Sequence, residues 1–228
     1  MAAGGLASSV RDQLRYASFH MGDGTTADGP RLLSNEALVE MQTPVVEFSN
    51  DAWVGLSWFI SDLAGTSMVA HGGTTNGQTS DFWMCPVLGI AFTSLTNGST
   101  GHLLNDKLSA VAQKLFLDYE SPEIEPLSVD NPSELDEYTG RYFGEPNRMV
   151  FEIRREDDVL VVSLIDHGRM AELFDDLPDM VPSSMHLYDT DRVLMRGGDF
   201  DGSKGTFLRD DTGAVTHLRM SRLWIKES

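Results

Sequence analysis

The chain has 228 residues, of which 41% are apolar, so it can bury a sizeable core without disulfide or metal staples. Its 35 acidic residues against 17 basic ones give a formal charge of −18, which repels phosphate backbones and argues against a nucleic-acid partner. The single cysteine, Cys85, excludes a disulfide framework, and no apolar run reaches the roughly 18 residues that a membrane span needs.

Two helices are predicted in the first 45 residues. The first has apolar residues at helical spacing and either Ser8 or Ser9 as its N-cap; these apolar residues are Val10, Leu14, Ala17 and Met21. The second is short: Ser34 caps it, and the Thr43-Pro44 pair ends it. A glycine-rich loop, GDGTTADGP, joins them.

The pattern changes near residue 51 to short apolar runs separated by Gly, Asn and Pro. These runs predict four adjacent strands of an antiparallel sheet: WVGLSWFI, SMVAH, DFWMC and GIAFTSL. A third helix follows the Asn97-Gly98 turn and ends near Tyr119. We expect it to cover the sheet with one apolar stripe formed by Leu104, Leu108, Val111, Ala112 and Leu115.

The chain is expected to divide into two domains. Residues 121–133 are rich in Pro, Glu, Ser and Asp without an apolar period, which is typical of a linker. Residues 1–120 then form a helix-covered sheet domain, and residues 134–228 hold short strands with turn chemistry between them, as in a small antiparallel barrel or sandwich. The predicted fold class is α+β.

Several kinds of active site are excluded by their missing motifs. The chain has no G-x-S-x-G elbow, no H-E-x-x-H and no glycine-rich phosphate loop. Residues 199–203, DFDGS, resemble the start of a calcium loop, but the glycine is two positions early and no glutamate closes the loop. His167 and His186 have no partner at ligand spacing, so we predict no metal or cofactor. The tryptophans are expected in the core or on the sheet face.

The stretch VAHGGTTNG, residues 69–77, carries the strongest signal for chemistry. His71 ends an apolar run, and Gly72 and Gly73 would let a substrate backbone or ring lie close to the sheet. The N–H of Thr74 can point at a developing oxyanion, and the imidazole can bind a substrate carboxylate or a catalytic hydroxyl. A lone H-G-G is also compatible with a strand that ends before a flexible glycine loop.

Four pieces taken in order, AGGLASSVRDQLRYA, LLSNEALVEMQTP, GLSWFI and VAHGGTTNGQTSDFWMCPVLGIAFTSLTNG, resemble the C-terminal part of the serine β-lactamase-like hydrolases. That superfamily includes class C β-lactamases, penicillin-binding DD-peptidases, esterases and D-aminopeptidases, and the resemblance covers about residues 2–119. It implies a catalytic role for His71, binding roles for Gly72, Gly73 and Thr74, and a small-molecule or peptide substrate. LDEYTGRYFGE, from Leu135, resembles the lipocalin-like barrel appended to many members.

The same resemblance implies two further motifs that the chain lacks. The superfamily uses S-x-x-K, whose serine attacks the carbonyl, and Y-x-N or S-x-N as a second proton-transfer group. No Tyr or Ser has Asn two residues later, and none of the four lysines has serine three residues earlier; those positions hold Leu104, Val111, Asp201 and Leu223.

We therefore expect the C-terminal portion of a longer serine hydrolase, inactive alone and completed by a missing N-terminal half. Two alternatives remain: a non-catalytic ligand-binding protein or pseudoenzyme on the same fold, and an independent hydrolase that pairs one of its own serines with His71. The first residues lack a signal peptide, but any leader would also have been upstream, so the sequence leaves the location open.

Overall fold

A computed structural model describes residues 4–49, 52–75, 77–98, 101–145, 148–173, 177, 179–220 and 222–227. The chain forms two compact units, Met1–Pro122 and Glu123–Ser228. The first contains an antiparallel sheet with helices, and the second is a closed antiparallel barrel. The predicted α+β class is confirmed.

Within the described residues the first unit has three helices: α1 (Val10–Met21), α2 (Asn35–Met41) and α3 (Gly101–Leu117). The first two begin where side-chain caps were predicted. Ser9 Oγ accepts a hydrogen bond from the Asp12 N–H at 3.2 Å, and Ser34 Oγ accepts one from the Ala37 N–H at 3.2 Å. Each cap satisfies a backbone donor that the first helical turn leaves free, so local sequence sets both helix starts.

The sheet of the first unit has seven strands within the described residues. They are β1 (Val46–Ser49), β2 (Ala52–Val54), β3 (Phe59–Leu63), β4 (Thr66–Ala70), β5 (Gly73–Thr75), β6 (Gln78–Cys85) and β7 (Ile90–Thr96). Their order is β1-β2-β3-β4-β6-β5. β4 and β5 both pair with one edge of β6, and β7 pairs with its other edge. The run WVGLSWFI is divided between β2 and β3, and the sequence did not predict β1 or β5.

The sheet is packed on both faces because side chains alternate along β6. Phe82 and Met84 pack with α1 residue Ala17 and with the sheet residues Trp58, Ile60 and Val69. On the other face, Trp83 and Cys85 pack with Ala112 of α3. Cys85 is buried and unpaired, as expected of a small apolar side chain. The first unit is therefore a helix–sheet–helix sandwich.

The prediction that an apolar stripe of α3 packs against the sheet is wrong. Of its members only Ala112 is buried, whereas the other four lie exposed; the buried residues of α3 are Gly101, Asn105, Ser109 and Ala112. Ser109 Oγ accepts a hydrogen bond from Trp83 Nε1 at 2.8 Å, and Asn105 Nδ2 donates to the Thr79 carbonyl at 3.3 Å. The helix thus packs on the sheet through small and polar residues. The spacing of its apolar residues does not predict these hydrogen bonds.

The second unit is a closed barrel of eight antiparallel strands. They are β8 (Gly140–Gly144), β9 (Met149–Glu156), β10 (Val159–Asp166), β11 (Ser183–Asp189), β12 (Arg192–Arg196), β13 (Lys204–Arg209), β14 (Val215–Met220) and β15 (Arg222–Lys226). A short helix α4 (Met170–Leu173) and two 3₁₀ helices, Pro132–Tyr138 and Gly198–Phe200, complete it. Buried aromatic residues, including Tyr142, Phe151, Phe207 and Trp224, pack in its core.

An ion-pair network fastens the Pro132–Tyr138 helix to the barrel. Arg209 donates to both carboxylate oxygens of Glu137, at 2.7 and 2.8 Å, and to Asp191 at 2.7 Å. Tyr138 donates its hydroxyl to Asp191 at 2.9 Å and lies under the guanidinium. The hydrogen bonds that Arg209 donates to Glu137 and Asp191 raise the pKa of its guanidinium above the ordinary value. One cation therefore ties a barrel strand to two carboxylates and the helix.

Candidate active site

His71 and Gly72 continue the β4 strand into β5. The pairs Ala70↔Trp83 and Gly73↔Ser80 follow one antiparallel register along β6, and the His71 N–H donates to the Phe82 carbonyl at 3.0 Å. The H-G-G segment is therefore extended backbone held against β6.

The edge of this strand that faces away from β6 has no described strand paired with it from His71 onward. On that side β3 pairs with β4 only as far as Phe59↔Ala70, so among the described residues β6 is the single strand that pairs with β5. In an antiparallel ladder, alternate residues direct their N–H and C=O toward opposite neighbours. Because His71 bonds to β6, Gly72 and Thr74 direct their backbone groups toward the open edge. The N–H of Thr74 thus points away from β6, roughly in the plane of the sheet, toward the open edge.

The two glycines meet different surroundings. A Cβ on Gly72 would lie 2.8 Å from the Ser80 carbonyl oxygen, a distance that real Cβ atoms essentially never show. A Cβ on Gly73 would meet nothing nearer than Ser80 Oγ, at 3.8 Å. Close approach of two backbones therefore requires glycine at position 72, whereas position 73 has room for a side chain.

The His71 imidazole is exposed and rests against an aromatic ring. Its centroid lies 5.6 Å from that of Phe59, which in turn lies 5.1 Å from Phe48. Within the described residues no side chain forms a hydrogen bond with the imidazole. Sequence reasoning missed Phe59 because the run WVGLSWFI does not show that Phe59 pairs with Ala70, next to His71. With respect to the described residues, both imidazole nitrogens are therefore available to a ligand.

Gly4, near the N-terminal end of the described residues, lies beside β5. Gly4 has a φ of +70°, and a Cβ there would approach Thr75 Oγ1 to 3.1 Å. The left-handed backbone suits glycine, and the contact places this segment next to the strand that follows His71. Two separate pieces of the resemblance are therefore neighbours in space.

No described serine is hydrogen-bonded to the imidazole of His71. Ser80, opposite Gly73 on β6, donates its hydroxyl to the Gly73 carbonyl at 3.4 Å. The imidazole of His71 therefore has no hydroxyl to activate in the part of the chain that the structure describes.

The remaining candidates have structural roles. His186 is hydrogen-bonded to Ser184 at 2.9 Å, and Asp201 of the DFDGS turn accepts from the Gly197 N–H at 2.8 Å. Trp58 and Trp83 are buried and so cannot form a carbohydrate platform. No group of three or more acidic, His or Cys side chains arranged for a metal ion occurs in the described ranges. Nor does any described helix have the length and apolarity of a membrane span.

Comparison with known proteins identifies the family of the first part of the chain. The β-lactamase family model matches residues 1–115. Penicillin-binding protein 4 of Amycolatopsis lactamdurans is 28% identical over 133 residues, which are 54% of this chain and 35% of that protein. This chain therefore spans about a third of the curated relative's length.

Two solved structures share the fold. The structure of SurE with D-Leu has a TM-score of 0.67 at 18% identity, covering 96% of this chain and 50% of SurE. A second SurE structure gives 0.64 at 20% identity, with 96% and 48% covered. The likeness thus includes both the helix-covered sheet and the barrel. With half of its length matched by the family model, the chain belongs to the β-lactamase family.

Proposed function

We propose that this chain forms one wall of the active site of a serine hydrolase that cleaves amide or ester bonds through an acyl-enzyme. The observation that carries the proposal is the open strand edge that begins at His71. There, the outward N–H of Thr74 and an imidazole without a described hydrogen-bond partner lie on one exposed strand. Membership of the β-lactamase family supports this class of chemistry.

Each site residue has a distinct role in this proposal. The carbonyl of a small-molecule or peptide substrate lies along the open edge, and the Thr74 N–H donates to the oxyanion as it develops. Gly72 and Gly73 present no side chain, so the substrate can approach the strand closely. His71 donates a hydrogen bond or supplies positive charge to a substrate carboxylate or to a neighbouring catalytic hydroxyl. The step needs no cofactor.

The nucleophile comes from an N-terminal half in this proposal. The chain contains neither S-x-x-K nor Y-x-N, and no described serine bonds to His71. In the complete site, the serine oxygen forms a bond to the substrate carbonyl carbon and gives its proton to the neutral lysine of S-x-x-K. The bond from that carbon to the amine or alcohol then breaks, and the leaving group takes up the same proton. Water then releases the acyl group as the acid. The unit described here would be inactive alone.

A fusion protein tests the proposal. The Met1–Pro122 unit replaces the corresponding segment of the Amycolatopsis lactamdurans penicillin-binding protein 4, and acylation by a fluorescent penicillin and turnover of nitrocefin are measured. We expect acylation of the fusion, a loss of about 10²-fold in its rate with His71→Ala, and no turnover by the isolated chain. His102→Ala, an exposed histidine on α3, is the matched control.

Three results would contradict the proposal. One is serine-dependent turnover of nitrocefin or a p-nitrophenyl ester by the isolated chain. Another is an equal effect of the two histidine substitutions. The third is penicillin binding to the fusion without acylation, which would favour the ligand-binding pseudoenzyme.

A further inference from the structure

Two side chains of α1 are buried where the helix packs on the sheet. They are Ala17 and His20, with 0 and 3% of their surfaces accessible, whereas Leu14 and Tyr16 of the same helix are 41 and 49% exposed. Histidine is seldom buried to this extent, and a buried polar side chain is normally hydrogen-bonded. A titratable side chain is therefore part of the contact that holds α1 on the sheet.

The imidazole of His20 packs against three aromatic rings. Its centroid lies 4.4 Å from that of Tyr16, 5.2 Å from that of Phe19 and 5.2 Å from that of Trp58. Its Nδ1 atom is buried and has no hydrogen-bond partner among the described residues, and the same holds for Nε1 of Trp58. The ring is therefore packed as an apolar side chain would be, although it carries a nitrogen that can be protonated.

The two protonation states of His20 fit this environment unequally. A neutral imidazole can keep its proton on Nε2 and leave Nδ1 bare, whereas an imidazolium must carry an N–H at Nδ1 as well. In the folded chain that N–H would be buried without a described acceptor, and its charge would lie among apolar rings. Burial accordingly lowers the pKa of His20 from its ordinary value of 6.5. The packed helix therefore favours neutral His20.

No described charge compensates a positive charge on His20. Burial is the sole cause of its lowered pKa, and Tyr16, the titratable ring in contact with it, stays neutral because burial raises the pKa of the phenol. β7 and residues 55–58 carry no charged side chain. The charged groups on the other elements around His20 are exposed or have other partners: Arg11, Glu36 and Glu40 are exposed, Asp12 pairs with Arg15, Asp23 pairs with Arg31, Asp62 accepts from the Gly65 N–H, and Asp81 is hydrogen-bonded to Ser109.

We propose that His20 is a pH-sensitive switch: while its imidazole is neutral, α1 stays packed on the sheet, and protonation of the imidazole releases the helix. The inference is independent of the proposed hydrolase, because it rests on packing within Met1–Pro122. The stability that neutral His20 contributes is present above pH 6.5, the ordinary pKa of histidine, and is lost as pH falls below that value. Because Gly4 precedes α1 and lies against Thr75 of β5, release of the helix also frees the chain beside the strand that follows His71.

Two measurements on the full chain test the switch. The C–H resonances of the His20 imidazole, assigned by comparison with His20→Phe, are followed by NMR from about pH 8 to about pH 5. Their midpoint should lie below that of histidine in the urea-unfolded chain. Over the same range, hydrogen-exchange protection factors, which correct for the intrinsic pH dependence of exchange, should fall at least about tenfold for the amides of α1 but stay within about twofold for those of α3.

His20→Phe and His102→Phe are a matched pair of variants. His20→Phe keeps an aromatic ring in the same space but cannot be protonated, so α1 should keep its protection down to about pH 5. His102 is exposed on α3, and His102→Phe should respond to pH as the parent does. If His20→Phe does not fold, His20→Gln, which is also uncharged, takes its place.

Any of four results would overturn the switch. The midpoint of His20 could lie at or above that of the unfolded chain, or α1 could keep its protection in the parent. Alternatively, α1 and α3 could lose protection alike, or the uncharged His20 variant could lose protection in α1 as the parent does.

Discussion

Substituting alanine at the two glycines after His71 should have opposite effects on stability. At position 72 the new Cβ would lie 2.8 Å from the Ser80 carbonyl oxygen, so the backbone of β6 or of the strand itself must shift. Overpacking of this kind costs about 1–3 kcal/mol, partly offset by the roughly 0.5–1 kcal/mol that alanine gains over glycine in a strand. Gly73→Ala should only stabilise the strand, because the nearest atom to its new Cβ is Ser80 Oγ at 3.8 Å.

The free energies of unfolding of the two variants should therefore differ by about 2 kcal/mol. Urea unfolding followed by tryptophan fluorescence measures this difference, because Trp58 and Trp83 are both buried in the same unit as the glycines. Equal stabilities, or a Gly73→Ala variant weaker than Gly72→Ala, would refute the close approach of His71-Gly72 to β6.

Three other substitutions, one of them with a control variant, test separate parts of the structure. Arg209→Met removes the cation shared by two carboxylates and should cost about 2–4 kcal/mol in thermal unfolding, whereas Arg15→Met, in an exposed ion pair, should cost less than about 1 kcal/mol. Burial raises the pKa of Asp81 from its ordinary value of 3.8, so the folded state binds the proton more tightly than the unfolded state does. The contribution of Asp81 to the free energy of unfolding therefore falls as pH rises. Asp81→Asn should therefore be more stable than the parent at pH 7, and the difference in unfolding free energy should close as pH falls toward 3.8. Phe59→Ala removes the ring beside His71 and should slow penicillin acylation of the fusion about tenfold without moving its melting temperature; an unchanged rate would deny Phe59 a positioning role.

Local signals in the sequence were sufficient to predict where α1 and α2 begin. Ser9 and Ser34 each cap a helix through a hydrogen bond three residues away, which is a pattern readable from neighbouring residues. The barrel was predicted for a similar reason, since each of its strands is a short run bounded by turn residues. Such features need no knowledge of distant contacts.

Long-range pairing explains what the sequence missed. β5 is only three exposed residues, Gly73–Thr75, without an apolar alternation, and its strand geometry depends on the register that β4 already sets along β6. The direction of the Thr74 N–H follows from the same register. The sequence predicted His71, Gly72, Gly73 and Thr74 as site residues, but the open edge beside them becomes visible only when β3 is seen to end at Phe59.

The error over α3 has a physical cause as well. A periodic apolar row shows that one side of a helix is to be covered, but it does not show by which element. The sheet is covered by the side that carries Asn105 and Ser109, whose hydrogen bonds involve Thr79 and Trp83. The apolar side is exposed in the described part of the chain.

The most direct test of the central claim is to map the acyl adduct by peptide mass spectrometry after the fusion has reacted with penicillin. The adduct should lie on a serine outside Met1–Pro122, and it should form about 10²-fold more slowly with His71→Ala. An adduct on a serine within Met1–Pro122, or one that forms at the same rate without His71, would contradict the claim that this strand is one wall of a serine hydrolase site.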